Sequence, residues 1–291
     1  MIESPPPIDG ATQLVGIIGW PVAHSFSPLI HNAAFAALGL NWCYVPLPVS
    51  DGHLAAALRG LVALGFRGAN VTVPHKSAVL PLLDSIDDAA RTIGAVNTIR
   101  VDPVSGMLHG LNTDVMGFLG DLIAHGVPLN TDTHALMLGA GGAERACAAA
   151  LLGSGAVVTL VNRSIVRAAD LLHDFASFTA LGKLSAISWE ALPEVSATGI
   201  TLIVNATPIG MWPTVEASPW PSGISFPAGA TLYDTIYRPA RTRLMQDAER
   251  AGLSVIGGAG MLIRQGAAAF EIWTRQPAPI DVMRQAWPIR E

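Results

Sequence analysis

The sequence predicts an α/β chain of two domains, and three observations carry that prediction. Its 291 residues exceed the usual span of one hydrophobic core. Short apolar, strand-like runs alternate with segments of helical spacing. From about Leu119 the pattern changes, and residues 133–161 read as strand, glycine-rich turn, helix and strand. Half the residues are hydrophobic and 13% are charged, which allows sizeable cores and argues against disorder. The formal net charge is -5 with no basic run, so a nucleic-acid partner is not expected. No apolar run reaches membrane-spanning length without Gly, Pro or charge. Met1–Pro7 lacks the basic and then apolar regions of a signal peptide, and residues 1 to about 12 read as a disordered tail. Cys43 and Cys147 make no disulfide framework, which fits a reducing cytoplasm. The eight histidines show no His-x-x-x-His spacing, so no metal site is expected.

Gln13–Gly19 is a first buried strand. The loop that follows carries Ser25 and Ser27. Pro28 suits a first helical turn with Ser27 as N-cap, for a helix over about 29–38 that stops at Gly39. Ser27 is either that cap alone or, with Ser25, a holder of a polyol or carboxylate. Trp42–Leu47 is a second strand, and Leu54–Leu64 is a helix ending at Gly65. In Asn70-Val71-Thr72-Val73-Pro74-His75-Lys76, the β-branched Val71 and Val73 suit a buried strand, which Pro74 must end or place at an edge. The run places Thr72 near a strand end and Lys76 just beyond it, where ligands sit in open α/β sheets. Lys76 is a candidate acid–base group or anion clamp, or else a surface lysine. A helix follows around 77–83, and a further short one begins within the polar run Asp84–Arg91. Gly94–Ile99 is a strand containing Asn97, which needs partners if buried. Asp102–Gly106 is a hairpin turn, and Asp114 stands where it would cap a helix beginning near Val115.

Thr133–Leu138 runs directly into Gly139-Ala140-Gly141-Gly142-Ala143, then a helix over about 144–152 and the strand Val157–Val161. A glycine turn between strand and helix sets a pyrophosphate on a helix N-terminus, although Glu144 replaces the third glycine of the usual pattern. After the second strand, Asn162-Arg163-Ser164 and Arg167 stand where an NAD enzyme usually carries an acid. A planar guanidinium suits a 2′-phosphate, so the sequence favours NADP. Thr201–Met211 is a strand and loop and Thr231–Tyr237 a last strand. Helices follow over about 240–251, 261–273 and 279–287, with Val255–Gly260 a second glycine turn and Gln265 inside the middle helix.

Ser25-Phe26-Ser27-Pro28, Asn70–Lys76, Gly94–Thr98, Asn112-Thr113-Asp114, Gly139–Ala143, Asn162-Arg163, Asn205–Pro208 and Gly258–Gln265, taken in order, resemble the shikimate/quinate dehydrogenase family over nearly the whole chain. Ser164 stands where NADP-using members often have Thr. The resemblance implies an N-terminal α/β substrate and catalytic domain (1–118, completed by helices in 256–291) and a Rossmann-type NADP-binding domain (119–255), with the active site in the cleft between. It implies Lys76 and Asp114 as the catalytic pair. Ser25, Ser27, Thr72, Lys76, Asn97, Asp114, Tyr237 and Gln265 would hold substrate. Asp88, Gly139, Ala140, Gly141, Gly142, Ala143, Asn162, Arg163, Ser164, Arg167, Thr235 and Gly258 would contact NADP. The implied activity is reversible NADPH-dependent reduction of 3-dehydroshikimate to shikimate, by a cytoplasmic monomer or homodimer. The alternatives are a quinate/shikimate dehydrogenase using NAD, disfavoured by the missing acid, and a non-catalytic NADP-sensing regulator.

Overall fold

The structure, a computed structural model, describes residues 7–139, 141–162, 164–175, 183–195 and 199–289, without the side chains of residues 165, 167, 168 and 195. Its chain divides into two compact units, Met1–Gly117 with Ile263–Arg290, and Phe118–Leu262.

The first unit holds a six-stranded mixed sheet in the order β2-β1-β3-β5-β6-β4. Its strands are β1 (Gln13–Gly19), β2 (Trp42–Pro48), β3 (Gly68–Val71), β4 (Ser85–Ile86), β5 (Thr98–Val101) and β6 (Leu108–Leu111). β1 lies parallel to β2 and β3, whereas β5 is antiparallel to both β3 and β6. The period of two along β1 sorts its side chains between two cores. Val15 and Ile17 pack with Ile30, Ala34 and Phe35 of helix α1 (Ser27–Ala37) and Ile263, Ala267, Phe270 and Trp273 of α10 (Ala259–Thr274). Ile18 packs on the other face, with Leu54, Leu58 and Leu61 of α2 (Leu54–Ala63). Gly68 is dictated by packing: a Cβ there would strike the Trp273 indole, whose Nε1 donates to the Ile99 carbonyl at 2.9 Å.

The second unit holds six parallel strands in the order β12-β11-β10-β7-β8-β9. They are β7 (His134–Leu138), β8 (Val157–Val161), β9 (Lys183–Ile187), β10 (Leu202–Asn205), β11 (Thr231–Asp234) and β12 (Ser254–Gly257). Numbered within the unit, the order is 3-2-1-4-5-6 reversed, the doubly wound dinucleotide-binding topology, with its switch point between β7 and β10. One face packs Leu136, Leu138, Ile203 and Leu232 against Leu244, Met245 and Ala248 of α9 (Arg243–Arg250). Tyr233 meets Phe118 of α5 (Asp114–Ala124) edge-on and donates its hydroxyl proton to Asp121 at 2.8 Å. Helix α6 (Gly142–Gly153) connects β7 to β8 and buries nearly all of its alanines and leucines.

Several expected boundaries move. β3 ends at Val71 rather than running on to Pro74, and Val73 is exposed. The reason is a turn in which the His75 N–H donates to the Thr72 carbonyl, opening helix α3 (His75–Ala78). Lys76 therefore lies in a helical turn, one residue after the helix begins. α1 starts at Ser27 with Phe26 at the cap position, so Ser27 is not the N-cap. Its backbone N–H is instead taken by Ser25 Oγ at 3.2 Å. Asn97 precedes β5 instead of lying within a strand. Helix α4 (Asp88–Ile93) is capped by Asp87, whose side chain accepts from the Ala90 N–H. Residues 9–12 form a turn in which Asp9 accepts from the Asn41 amide at 2.9 Å, so the stretch expected as tail is tied down at its end.

Candidate active site

The first unit builds its polar centre from three chain segments. The turn after β3 supplies Lys76. His75 pins that turn through a 2.6 Å contact of Nε2 with the Val49 carbonyl, and the Lys76 carbonyl accepts from the Val96 N–H at 2.8 Å. The β5–β6 hairpin supplies the other two segments. Its antiparallel register sets Thr98 opposite Leu111, so the residues before β5 face those after β6. Asn97 and Asp114 are brought together in this way. Asn112 fixes the entry to α5: its side-chain oxygen accepts from the Asp114 N–H at 3.0 Å and its amide donates to the Ala95 carbonyl at 2.9 Å.

At the centre, Lys76 Nζ lies 2.5 Å from Asp114 Oδ2, with side-chain exposures of 16% and 7%. A buried carboxylate needs such a cation together with further hydrogen bonds. The second oxygen, Oδ1, accepts from Asn97 Nδ2 at 2.8 Å. Asn97 Nδ2 also faces Thr113 Oγ1 at 3.0 Å and Gln265 Oε1, from α10, at 3.3 Å. Asn97 Oδ1 accepts from the Thr113 N–H at 2.8 Å and from Thr98 Oγ1 at 3.0 Å. Asn70, at the third position of β3, donates to the Asn97 carbonyl and to Thr98 Oγ1. Asn70, Asn97, Thr98, Thr113, Asp114 and Gln265 are all buried. The ammonium of Lys76 is thus the most exposed charged end of an otherwise saturated network. Such a group can give a proton to, or take one from, a bound oxygen, with Asp114 orienting it.

Lys76, Asn97, Asp114 and Gln265 are joined directly. Ser27 is buried, and its side chain interacts with the Tyr44 hydroxyl. Ser25 reaches the Ser27 N–H. Thr72 packs its methyl over Gly19, where a Cβ would not fit, and its N–H donates to the Ile18 carbonyl at 2.9 Å. Asp88 is exposed in the first turn of α4. Tyr237 belongs to the second unit, half-buried after β11. Burial pushes its hydroxyl up, against the pull of the Arg238 guanidinium. Sequence reasoning missed Thr98 and Thr113, and it used Asn70 only as a motif residue. Thr98 carries the same signal as Asn97, a polar side chain among apolar neighbours, whereas Thr113 stands in the polar run Asn112–Asp114 and carries no such signal.

In the second unit two described glycines, Gly139 and Gly141, follow β7. Gly139 has φ +112, a conformation that side chains rarely adopt. A Cβ on Gly139 or Gly141 would meet the Glu144 carboxylate first, at 2.5 and 2.8 Å. The room above both glycines is therefore covered by the Glu144 side chain at the first turn of α6. Bare backbone at a helix N-terminus beside a switch point fits a dinucleotide's phosphates. Gly142 and Ala143 open α6 and are half-buried. Asn162 follows β8 and its Oδ1 accepts from the Ser164 N–H at 3.2 Å. Thr235 follows β11, its N–H donating to the Asn205 carbonyl. Gly258 lies against the Thr235 carbonyl so closely that a Cβ would collide with it. Ala140, Arg163 and the Arg167 side chain lie outside the described residues. Among the described residues no group of His, Cys, Asp and Glu could hold a metal ion, and no helix is long and apolar enough to cross a membrane.

Comparison with known proteins agrees across both units. Residues 17–99 match the family pattern described as the shikimate dehydrogenase substrate binding domain, and residues 258–286 match the shikimate 5'-dehydrogenase C-terminal domain. A shikimate dehydrogenase (NADP(+)) of Moorella thermoacetica is 46% identical over 278 residues, spanning 95% of this chain and 92% of the relative. Shikimate 5-dehydrogenase from Thermus thermophilus, solved with NADP(H) and shikimate, superposes with a TM-score of 0.84 at 39% identity, covering 94% of this chain and 98% of that one. Quinate dehydrogenase from Corynebacterium glutamicum, solved with NAD, superposes with a TM-score of 0.85 at 30% identity over 94% and 98% of the two chains.

Proposed function

Because the chain belongs to the shikimate dehydrogenase family, we propose that it interconverts 3-dehydroshikimate and shikimate with NADP, a step of aromatic amino acid biosynthesis. The observation that carries this reading is the 2.5 Å contact of Lys76 with Asp114, held by Asn97 within the unit whose residues 17–99 match a substrate binding domain. When bound, the nucleotide supplies the hydride in reduction and takes it back in oxidation. Reduction of a ketone leaves a developing alkoxide, and the Lys76 ammonium donates the proton to it and stabilises its charge. In oxidation the proton returns to Lys76. Asp114 orients the ammonium and accepts a substrate hydroxyl. Ser25, Ser27, Thr72, Asn97 and Gln265 supply short hydrogen-bonding groups for a ring with three hydroxyls and a carboxylate, and Tyr237 adds a phenol. For the nucleotide, the turn Gly139–Ala143 takes the pyrophosphate, Asn162–Ser164 with Arg167 the adenosine 2′-phosphate, and Thr235 and Gly258 the nicotinamide half, with Asp88 as a further contact. Localisation in the cytoplasm, as a monomer or homodimer, belongs to the same reading and accords with two free cysteines.

The test is NADPH formation followed by absorbance, with shikimate and quinate each offered with NADP+ and NAD+. Fast turnover of shikimate with NADP+ alone is the expected result. A comparable rate with quinate or NAD+ would move the chain to the dual-specificity branch. NADPH binding without turnover of either compound would favour a sensor.

A further inference from the structure

Tyr44 lies on β2 and carries no chemical role above, yet its hydroxyl stands between two of the site's parts. It donates to Asn70 Oδ1 at 2.8 Å, and the Ser27 side chain interacts with it from the start of α1. Asn70 carries the connection on, donating to the Asn97 carbonyl at 3.2 Å and to Thr98 Oγ1 at 3.1 Å. Thr98 Oγ1 donates to Asn97 Oδ1, and Asn97 Nδ2 donates to Asp114 Oδ1. A chain of hydrogen bonds therefore runs from Tyr44, through Asn70, Thr98 and Asn97, to the carboxylate that holds Lys76, and Ser27 at the start of α1 interacts with its first member. Every side chain along it is buried, so each bond is made where an unpaired polar group is costly.

The ring of Tyr44 is held as firmly as its hydroxyl. His31 stacks on it, with centroids 4.4 Å apart and planes 9° apart, and Trp273 lies 6.1 Å away. His31 is fully buried with no partner for either ring nitrogen among the described residues, and burial pushes it down to about 3. It is a neutral, flat wall for Tyr44 at any working pH. Gly266 on α10 keeps the far side close, since a Cβ there would come within 3.3 Å of His31 Nε2.

Resting on the function proposed above, we propose that Tyr44 is a positioning residue. Its hydroxyl fixes the spacing between Ser27, which holds substrate, and the Asn97–Asp114–Lys76 group, which carries the chemistry. A buried polar network whose members are all satisfied rigidifies a site and specifies one arrangement of it. Tyr44 itself touches neither substrate nor nucleotide in this role. Loss of its hydroxyl leaves Asn70 Oδ1 and Ser27 to find new partners, and the substrate groups then sit off their best alignment.

The experiment compares the parent with Tyr44→Phe, Ser27→Ala and the double variant. The shikimate KM and kcat are read from turnover, the NADPH Kd from nucleotide fluorescence, and the thermal midpoint from unfolding. Tyr44→Phe keeps the ring on His31. It is expected to raise the shikimate KM about fivefold or more, with kcat within about threefold and the NADPH Kd unchanged. The double variant is expected to be little worse than the worse single variant, because both changes cut the same chain of bonds. A Tyr44→Phe KM within twofold of the parent would overturn the proposal. So would multiplication of the two single effects in the double variant, or a loss of NADPH binding in step with a lowered midpoint, which would mark a general packing role. The parent's own turnover of shikimate, measured alongside, tests the function separately.

Discussion

Among the described residues, each unit carries a buried asparagine amide bonded to a buried aspartate carboxylate, and the two pairs are built almost alike. In the first, Asn97 Nδ2 donates to Asp114 Oδ1 at 2.8 Å while Asn97 Oδ1 accepts from the Thr113 N–H. In the second, Asn205 Nδ2 donates to Asp234 Oδ1 at 2.9 Å while Asn205 Oδ1 accepts from the Thr207 N–H. They differ at the outer carboxylate oxygen. Asp114 Oδ2 meets the Lys76 ammonium, whereas Asp234 Oδ2 accepts from the Thr242 hydroxyl at 2.7 Å. Without a cation, burial pushes the Asp234 carboxyl up to about 6, against the hydrogen bonds of Thr242, the Ile236 N–H and Asn205 that pull it down. In the function proposed above, one frame handles a proton, while the other is a strut tying the ends of β10 and β11 to the cap of α9. The group on the outer oxygen decides which.

The largest effect should come from removing the cation. Lys76→Ala is expected to lower kcat for shikimate oxidation by at least about 10²-fold with little change in KM, the low end of acid–base effects. A near-normal kcat in steady-state kinetics would dissolve the distinction between the two pairs.

Removing the charge from the other pair should act on stability. Asp234 holds a proton in the folded state between its ordinary value of 3.8 and about 6, where the unfolded chain has lost it. Its contribution is therefore complete below pH 3.8 and declines as pH rises through about 6. Over about two pKa units this comes to roughly 3 kcal/mol at ~1.36 kcal/mol per unit. Asp234→Asn keeps the shape and lacks that decline. Relative to the parent, its thermal midpoint should climb as pH rises from 4 to 7. Parallel pH profiles for the two proteins would show that Asp234 is charged in the folded state after all.

The smallest expected effect sharpens the contrast between a site made of side chains and one made of bare backbone. Glu144 places a carboxylate over Gly139 and Gly141, where the nucleotide's phosphates are proposed to bind. Glu144→Gln should tighten NADPH binding about threefold to tenfold, up to ~1.4 kcal/mol, as read by nucleotide fluorescence. Weaker binding would mean that the carboxylate supports the turn instead of competing with the phosphates.

Much of this was legible in the sequence because the relevant signals are local. The apolar run Gln13–Gly19, the unit from β7 to β8 and the polar Asn97 among apolar neighbours each state their role within a few residues. Two-residue β4 carries too little pattern to read, and β12 is hidden by its glycine and an exposed serine. The end of β3 was misplaced because Val73 is β-branched, although a turn bonded from Thr72 to His75 governs it. Tyr44 was invisible for a different reason. An aromatic residue in an apolar strand reads as core, and only its tertiary partners reveal the work of its hydroxyl.

Whether Lys76 and Asp114 act as one unit is tested most directly by the kcat of the double variant Lys76→Ala/Asp114→Asn beside the two single variants. Groups that act together are grossly non-additive when removed. The double variant should therefore be no slower than the slower single variant, within about threefold. A kcat equal to the product of the two single losses would contradict the pairing and make Asp114 a strut like Asp234.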